Sequence, residues 1–271
     1  MRLVCTFHRD LGSVQQPFDA AVVIPTVLRP TLKAAVQSIF RQSFPGRLQI
    51  LIGIDRAIGD PRILDEILAE RPERHAVTLL DPGYSTSMRN GGVHLDGLGG
   101  TMRAILSYMA NSRYVAYLDD DNWFADHHIQ SLLSMIPGHD WAFSLRWFVD
   151  ETSRRPVGID TFESVGPGQG VYTAGLGGWV DPNCLMIDKV NCEPVLRCWS
   201  AQFPFRGTNW SSDRSVFDAL RHRRWISTGE PSVFYAMHTH DRNHAERMKY
   251  LRENAAARKP PAAGDGSARP G

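Results

Sequence analysis

The stretch "VAYLDDDNWF", residues 115–124, ends a short apolar run at three adjacent carboxylates, Asp119, Asp120 and Asp121. Side chains alternate along an extended chain, so Asp119 and Asp121 are expected to share one side, with Asp120 facing away. Carboxylates this close repel one another, and some stay protonated unless a cation compensates them. A divalent ion is the simplest compensation, and hard oxygen ligands suit Mg2+ or Mn2+. An incomplete protein shell leaves coordination positions open for substrate phosphates, which is how Mg2+ is commonly held. The competing role for such acids is capping the next helix. Asp126, just before "HHIQSLL", is better placed for that.

The elements that must position these acids read as alternating strands and helices. "AAVVIP" (20–25), "LQILIGID" (48–55), "HAVTLL" (75–80) and "RYVAYL" (113–118) are short apolar runs of the kind buried on both faces of a parallel sheet. Between them, 31–43, 60–71 and 100–111 carry apolar residues at helical spacing. Asp60 is the expected N-cap of the second helix, with Pro61 at its first position. Such an order predicts a mostly parallel α/β sheet with right-handed crossovers and ligands beyond the carboxyl ends of its strands. Pro25–Thr26, Asp55 and Asp119–Asp121 fall at those ends. Later, 125–136 and 211–224 read as helices and 141–149, 181–189 and 225–238 as extended chain. Residues 150–178 read as a long loop or hairpin with little core. We divide the chain into an irregular segment 1–19, an α/β half 20–136, a second half 137–253 of the same single domain, and an unstructured tail 254–271.

Bulk properties exclude several function classes. The chain has 271 residues and a formal net charge of +1, so no basic field points to nucleic acid. No apolar run approaches the roughly 20 residues of a membrane helix, and no apolar stretch near the start suggests a secretory leader. A cytoplasmic protein is expected, with peripheral contact to a membrane left open. Cys5, Cys184, Cys192 and Cys198 form no C-x-x-C pair and are expected as free thiols.

The ordered segments "VVIPTVLRPTLKAAVQSIFRQSF", "LIGIDRAIGD" and "GGTMRAILSYMANSRYVAYLDDDNWF" together resemble family 2 glycosyltransferases of the GT-A fold, which are inverting enzymes. The resemblance implies a single catalytic domain in which a mostly parallel central sheet is flanked by helices. It also implies residue roles. Pro25, Thr26 and Arg29 would border the nucleotide. Asp55 would hydrogen-bond the base, and Arg103 would lie near the nucleotide. Asp119, Asp120 and Asp121 form the D-x-D segment: Asp119 near ribose or metal, Asp120 beside the nucleotide-sugar, and Asp121 on the metal. The third metal ligand would be a late histidine, His238 in preference to His240. The base would stand in "NWSSDRSVFDAL", where Asp213 matches. Trp179 and Trp210 flank these segments and are candidate acceptor contacts, since a sugar face stacks on indole.

The pattern departs from the family at Asn122, where Asp is usual, at Ala104, where Asn is frequent, and at "DRAIGD", where Asp-Asp-Gly-Ser is usual. "RNGG" (89–92) lies too far before the acidic strand to serve as the family arginine motif and reads as a loop insertion. The implied reaction is metal-dependent transfer, with inversion, of a sugar from a nucleoside-diphosphate sugar to an acceptor hydroxyl. A UDP-sugar donor is favoured. The acceptor is a saccharide, a lipid-linked carrier or a small molecule. Two alternatives stand beside it. One is an inactive GT-A-like binding domain. The other is a sugar-phosphate nucleotidyltransferase, disfavoured because "IPTVLRPTLK" lacks a glycine-rich phosphate loop. A dinucleotide-binding dehydrogenase is disfavoured for want of G-x-G-x-x-G after the first strand.

Overall fold

The computed structural model describes residues 4–8, 15–95, 99–201, 203–205, 208–210, 212–241 and 243–255, with the side chains of 203–205, 208–210 and 255 excepted. The apolar runs become strands β1 (Val4–Phe7), β2 (Ala20–Thr26), β3 (Leu48–Ile54), β4 (Ala76–Leu80), β5 (Tyr114–Tyr117), β6 (Trp123–Phe124), β7 (Trp141–Asp150) and β8 (Pro156–Ile159). They continue as β9 (Gly166–Pro167), β10 (Gly178–Trp179), β11 (Leu185–Asp188), β12 (Phe203–Phe205), β13 (Thr208–Trp210) and β14 (Trp225–Met237). The helices are α1 (Leu32–Phe40), α2 (Arg62–Ala69), α3 (Gly100–Met109), α4 (His128–Met135), α5 (Thr173–Leu176), α6 (Glu193–Leu196), α7 (Ser212–Leu220) and α8 (His244–Ala255).

Ten strands form one sheet in the order β1-β4-β3-β2-β5-β11-β7-β14-β6, with β8 beside β7. The block β4-β3-β2-β5 is parallel. All seven residues of β2 and of β3 are buried, as a strand covered on both faces requires. β11 runs antiparallel between β5 and β7, and β14 runs parallel to β7. Two reversals cancel, so β7 and β14 point the same way as β5. The chain ends of β2, β3, β5, β7 and β14 therefore share one edge of the sheet, and residues 100 or more positions apart meet there. A single apolar core spans both halves of the chain, from Ala20 to Val233.

Helix α1 buries Leu32, Ala35, Val36, Ser38 and Ile39, the stripe that its spacing predicts. Its end and the residues just after it do more than pack. Ser38 Oγ accepts the Phe124 amide at 3.1 Å, and Gln42 Oε1 accepts the Ile129 amide at 2.8 Å. Gln42 also donates to the carbonyls of Ser38 and Ala125. The cap of α4 expected from Asp126 is thus supplied by Gln42, two residues past the end of α1; no side-chain cap comes from the residue before the helix. Asp60, in contrast, does accept the Arg62 amide at 3.0 Å ahead of α2.

Three expectations are corrected. Residues 4–7, placed in an irregular segment, form edge strand β1 against β4. Their half-exposed pattern carries no burial period to read. Residues 150–178 are not poor in core: Asp160, Glu163 and Ser164 are buried, in a polar core that hydrophobic patterning cannot reveal. Helix α8 runs to Ala255, into the segment expected to be an unstructured tail; the remainder of that tail lies outside the described residues. All four cysteines are free. Among the described residues no helix is long and apolar enough to cross a membrane.

Candidate active site

The three aspartates sit in the turn that follows β5, and the turn breaks the alternation of a strand. Asp120 and Asp121 consequently share one cation: Arg29 Nη1 lies 3.1 Å from Asp120 Oδ1 and 2.7 Å from Asp121 Oδ2. Asp119 points elsewhere. Its Oδ1 pairs with Arg103 of α3, and its Oδ2 accepts from Asn183 Nδ2 at 2.9 Å. The Asp119 amide donates to Asn183 Oδ1 at 2.6 Å, so Asn183 clamps both ends of that residue. Arg29 compensates Asp120 and Asp121, and Arg103 with Asn183 compensates Asp119, which answers how three adjacent carboxylates persist at a strand end.

Arg103 is no surface arginine: the residue is buried, with its guanidinium 5.4 Å over the Trp199 ring. Burial pushes the Asp119 carboxyl up to about 6 despite Arg103, and Asp121 and Asp181 add to the rise, although the side chain keeps 32% exposure. Burial also raises Asp120, against the hydrogen bond from Thr26 Oγ1 at 2.6 Å and the charge of Arg29. At Asp121 burial acts in the same direction, but the His238 hydrogen bond and Arg29 outweigh it and leave that carboxyl low.

His238 follows β14 directly, and the shared sheet edge carries it to the acids. Its Nε2 lies 3.1 Å from Asp121 Oδ2 and its Nδ1 2.5 Å from Glu151 Oε2, just past β7. The bond to Asp121 raises the imidazole to about 9 against burial, with Glu151 adding to it. His240 stacks on His238 instead, with ring centroids 5.2 Å apart.

The loop after β2 is held close to these groups. Thr26 Oγ1 accepts the Leu28 amide, and Leu28 takes φ 64, a left-handed conformation that costs energy for a residue with a side chain. Gly59 makes this possible: a Cβ there would stand 1.7 Å from the Leu28 carbonyl oxygen. Pro25 packs beside Gly99 at the start of α3. Asp55 is buried, and both its oxygens are taken. Ser85 Oγ donates to Oδ2 at 2.8 Å, and the Thr86 amide and hydroxyl donate to Oδ1 at 2.8 and 2.7 Å. It ties down the loop after β4, whose "RNGG" segment forms a turn over Met88–Asn90.

Asp213 lies in the first turn of α7, half-buried, with Oδ1 accepting the Arg214 amide at 2.8 Å. The starts of α7 and α3 abut: a Cβ on Gly100 would fall 2.3 Å from Ser212 Oγ. Arg103, one turn along α3, is the partner of Asp119. Trp179 is buried, with Arg214 3.5 Å from its ring centroid and Phe217 edge-on. The Trp210 side chain lies outside the described residues.

Behind the edge stands a buried ionic cluster. Arg146, 1% exposed, donates to Asp160 at 2.8 Å, Glu163 at 2.8 Å and Asp181 at 2.6 Å. Glu163 also takes Arg247 at 2.9 Å, and Arg247 takes Asp241, which accepts the His238 amide at 3.3 Å. Asp181 accepts from Asn183 at 2.6 Å. A chain of polar contacts thus runs from Asp119 through Asn183, Asp181, Arg146, Glu163, Arg247 and Asp241 to His238. None of its interior members was singled out from the sequence. The one signal was a charge, Arg146, inside the strand pattern "WAFSLRWFV".

The donors suit a divalent cation. Asp121 Oδ2 and His238 Nε2 are 3.1 Å apart, close to the roughly 3.0 Å between neighbouring ligands of an octahedral ion with bonds of about 2.1 Å. Their side chains keep 15% and 28% exposure, so the pair opens to solvent. Among the described residues no three His, Cys, Asp or Glu side chains converge into a closed metal cage. Two protein donors with phosphates completing the shell is the arrangement Mg2+-like ions prefer.

No family model and no curated protein matches the chain. Solved structures do. Residues 1–349 of TarS from S. aureus superpose with a TM-score of 0.56 at 13% identity, over 80% of this chain and 60% of that one. The same fragment in complex with UDP-GlcNAc gives 0.56 over 90% of this chain and 68% of that one. The mannosyltransferase PcManGT from Pyrobaculum calidifontis, in complex with GDP-Man and Mn2+, gives 0.55 at 13% identity, over 90% and 66%. The fold is that of GT-A-like glycosyltransferases. Against full TarS, this GT-A-like chain spans only 41% of the neighbour's length.

Proposed function

We propose that the protein is a metal-dependent, inverting glycosyltransferase that moves a sugar from a nucleoside-diphosphate sugar to an acceptor hydroxyl. One observation carries the reading. On a GT-A-like sheet, the acids after β5 face an imidazole delivered by β14, with the Asp121 and His238 donor atoms 3.1 Å apart. The similar structures add support, because they are complexes with UDP-GlcNAc, UDP, and GDP-Man with Mn2+.

In this reading Asp121 and His238 hold Mn2+ or Mg2+, with Asp119 beside them near the ribose. The ion would neutralise charge that builds on the departing diphosphate. Arg29 and Arg103 supply further positive charge beside the nucleotide. Pro25, Thr26 and Asp120 shape the wall next to it. Asp55 acts by fixing the loop 85–86 at the base end of the pocket, in addition to any contact of its own with the base. Asp213 is the general base: it accepts the acceptor hydroxyl proton as that oxygen attacks the anomeric carbon and the bond to diphosphate breaks. One displacement inverts the centre and needs no covalent enzyme intermediate. Arg214, over the rings of Trp179 and Tyr172, sits one residue from that base. Trp179 and Trp210 are carried as acceptor-side residues, with a UDP-sugar the first donor to try and a saccharide, lipid-linked or small-molecule acceptor.

The test is a thermal-shift panel of UDP-, GDP- and dTDP-sugars with and without Mn2+. A ligand at 100 times its dissociation constant adds about 2.7 kcal/mol, roughly 2–4 °C for a domain of this size. The expected result is a Mn2+-dependent rise with one nucleotide class that Asp121→Ala abolishes. A folded protein that responds to no donor would sink the transferase reading. Nucleotide binding without turnover in the wild type, across donors and acceptors, would favour a binding domain instead.

A further inference from the structure

Two nitrogen atoms converge on a single carboxylate oxygen: Arg29 Nη1 at 2.7 Å and His238 Nε2 at 3.1 Å both meet Asp121 Oδ2. That oxygen is the one the proposed function assigns to the divalent ion. A cation bound there would compete with the guanidinium for that oxygen, because two positive charges at contact distance from one atom repel each other. We infer that Arg29 holds the place of the divalent cation on Asp121 and passes to the donor's diphosphate when the cation binds. The inference rests on the proposed metal–nucleotide reading and deepens it.

The surroundings of Arg29 fit a side chain that changes partners. It is 53% exposed, whereas the acids it holds are 6% and 15% exposed, so the arginine is the member of the group with open space around it. It has a second anchor in Asp120 Oδ1 at 3.1 Å. Asp120 is itself fixed by Thr26 at 2.6 Å, so the guanidinium can pivot there without leaving the site. Its backbone is pinned by the strained Leu28 conformation and by the amides of Ile58 and Gly59, which both donate to the Val27 carbonyl. Movement is thereby confined to the side chain. A guanidinium freed beside a metal-bound diphosphate has the forked donors that phosphate oxygens accept best.

The exchange has a thermodynamic signature. Without nucleotide, Arg29 and the cation compete for Asp121. With nucleotide, the displaced arginine gains phosphate contacts, so cation and nucleotide favour each other's binding by the same factor. Removing Arg29 should therefore move the two affinities in opposite directions. A merely structural residue would weaken both or neither.

The experiment measures Mn2+ affinity without nucleotide, from the free-ion EPR signal, and UDP and GDP affinity by calorimetry at saturating Mn2+. It compares wild type, Arg29→Ala, Arg29→Lys and Asp121→Ala, with thermal melts to confirm folding. Arg29→Ala should bind Mn2+ roughly two- to fivefold more tightly, the size of an exposed ion pair released. It should bind the preferred nucleotide about tenfold more weakly, the size of a charge-assisted hydrogen bond lost. Arg29→Lys should fall between. Unchanged or weaker Mn2+ binding by Arg29→Ala overturns the inference, and so does unchanged nucleotide binding. Mn2+ binding by Asp121→Ala equal to wild type overturns the underlying metal reading, a result distinct from either.

Discussion

Asn183 grips Asp119 at both ends, its carboxamide donating to the Asp119 carboxylate at 2.9 Å and accepting from the Asp119 amide at 2.6 Å. This pair fixes the first acid of the D-x-D segment in a turn where no strand pairing would hold it. Replacing Asn183 with Ala strips the carboxylate of one partner and leaves the Asp119 amide without its acceptor. We expect a loss of about 1–3 kcal/mol in urea unfolding and a fall of tenfold or more in nucleotide affinity. Unaltered nucleotide binding would mean that Asp119 is held adequately by Arg103 alone.

Arg146 is the centre of the buried cluster, one cation among Asp160, Glu163 and Asp181. Removing one partner of a buried ion pair leaves uncompensated charge, at about 3–5 kcal/mol. Arg146→Met should therefore be strongly destabilised by chemical denaturation. Because Asp181 lies between Arg146 and Asn183, any folded fraction should also bind nucleotide poorly. A variant as stable as wild type would contradict the central place of Arg146 in the cluster.

Gln42, just past α1, makes three hydrogen bonds: one back to the Ser38 carbonyl and two, with the Ala125 carbonyl and the Ile129 amide, that tie it to the start of α4. Gln42→Ala should cost about 2–3 kcal/mol. It touches none of the acids, so nucleotide affinity measured well below the melting temperature should be unchanged. A selective loss of nucleotide binding would place Gln42 in the site and contradict its structural role.

Burial lowers His75 to about 4, with Arg74 and Arg71 adding to the effect, and its Nδ1 accepts the Leu48 amide at 3.2 Å. A histidine whose folded value is depressed contributes stability that is complete above about 6.5 and is lost as pH falls toward 4, because the unfolded chain then binds the extra proton. The loss is about 2 kcal/mol at pH 5 for this one residue. Asp119, raised to about 6, works in the opposite direction over part of the range. The decisive quantity is thus the difference between wild type and His75→Gln. That difference should shrink by about 2 kcal/mol from pH 7 to pH 5 in urea unfolding. A constant difference would show that His75 titrates normally.

Much of the scaffold was legible because its rules are local. Buried strands such as "AAVVIP" and "LQILIGI" announce themselves by continuous apolar residues, and α1 by its 3.6-residue stripe. The same local rules failed at Val4–Phe7, a half-exposed edge strand, and at Asp160 and Glu163, whose burial depends on a charge partner elsewhere in the chain. They also misplaced the cap of α4, since Gln42 reaches it from 87 residues away.

The sequence by itself determined the alternating strands and helices, and it marked Asp119–Asp121, Arg29, Arg103 and His238 as residues worth testing. Tertiary structure decided which of them meet. Two antiparallel steps at β11 bring the ends of β7 and β14 back to the edge where β5 ends, and so set His238 against Asp121 and Glu151 against His238. It also decided that Arg29 bridges Asp120 and Asp121, and that Asn183 and the Arg146 cluster stand behind Asp119. Hydrophobic periodicity records which face of an element is buried. It does not record which distant polar group will complete a hydrogen bond there, because that choice is made only when the strands pair.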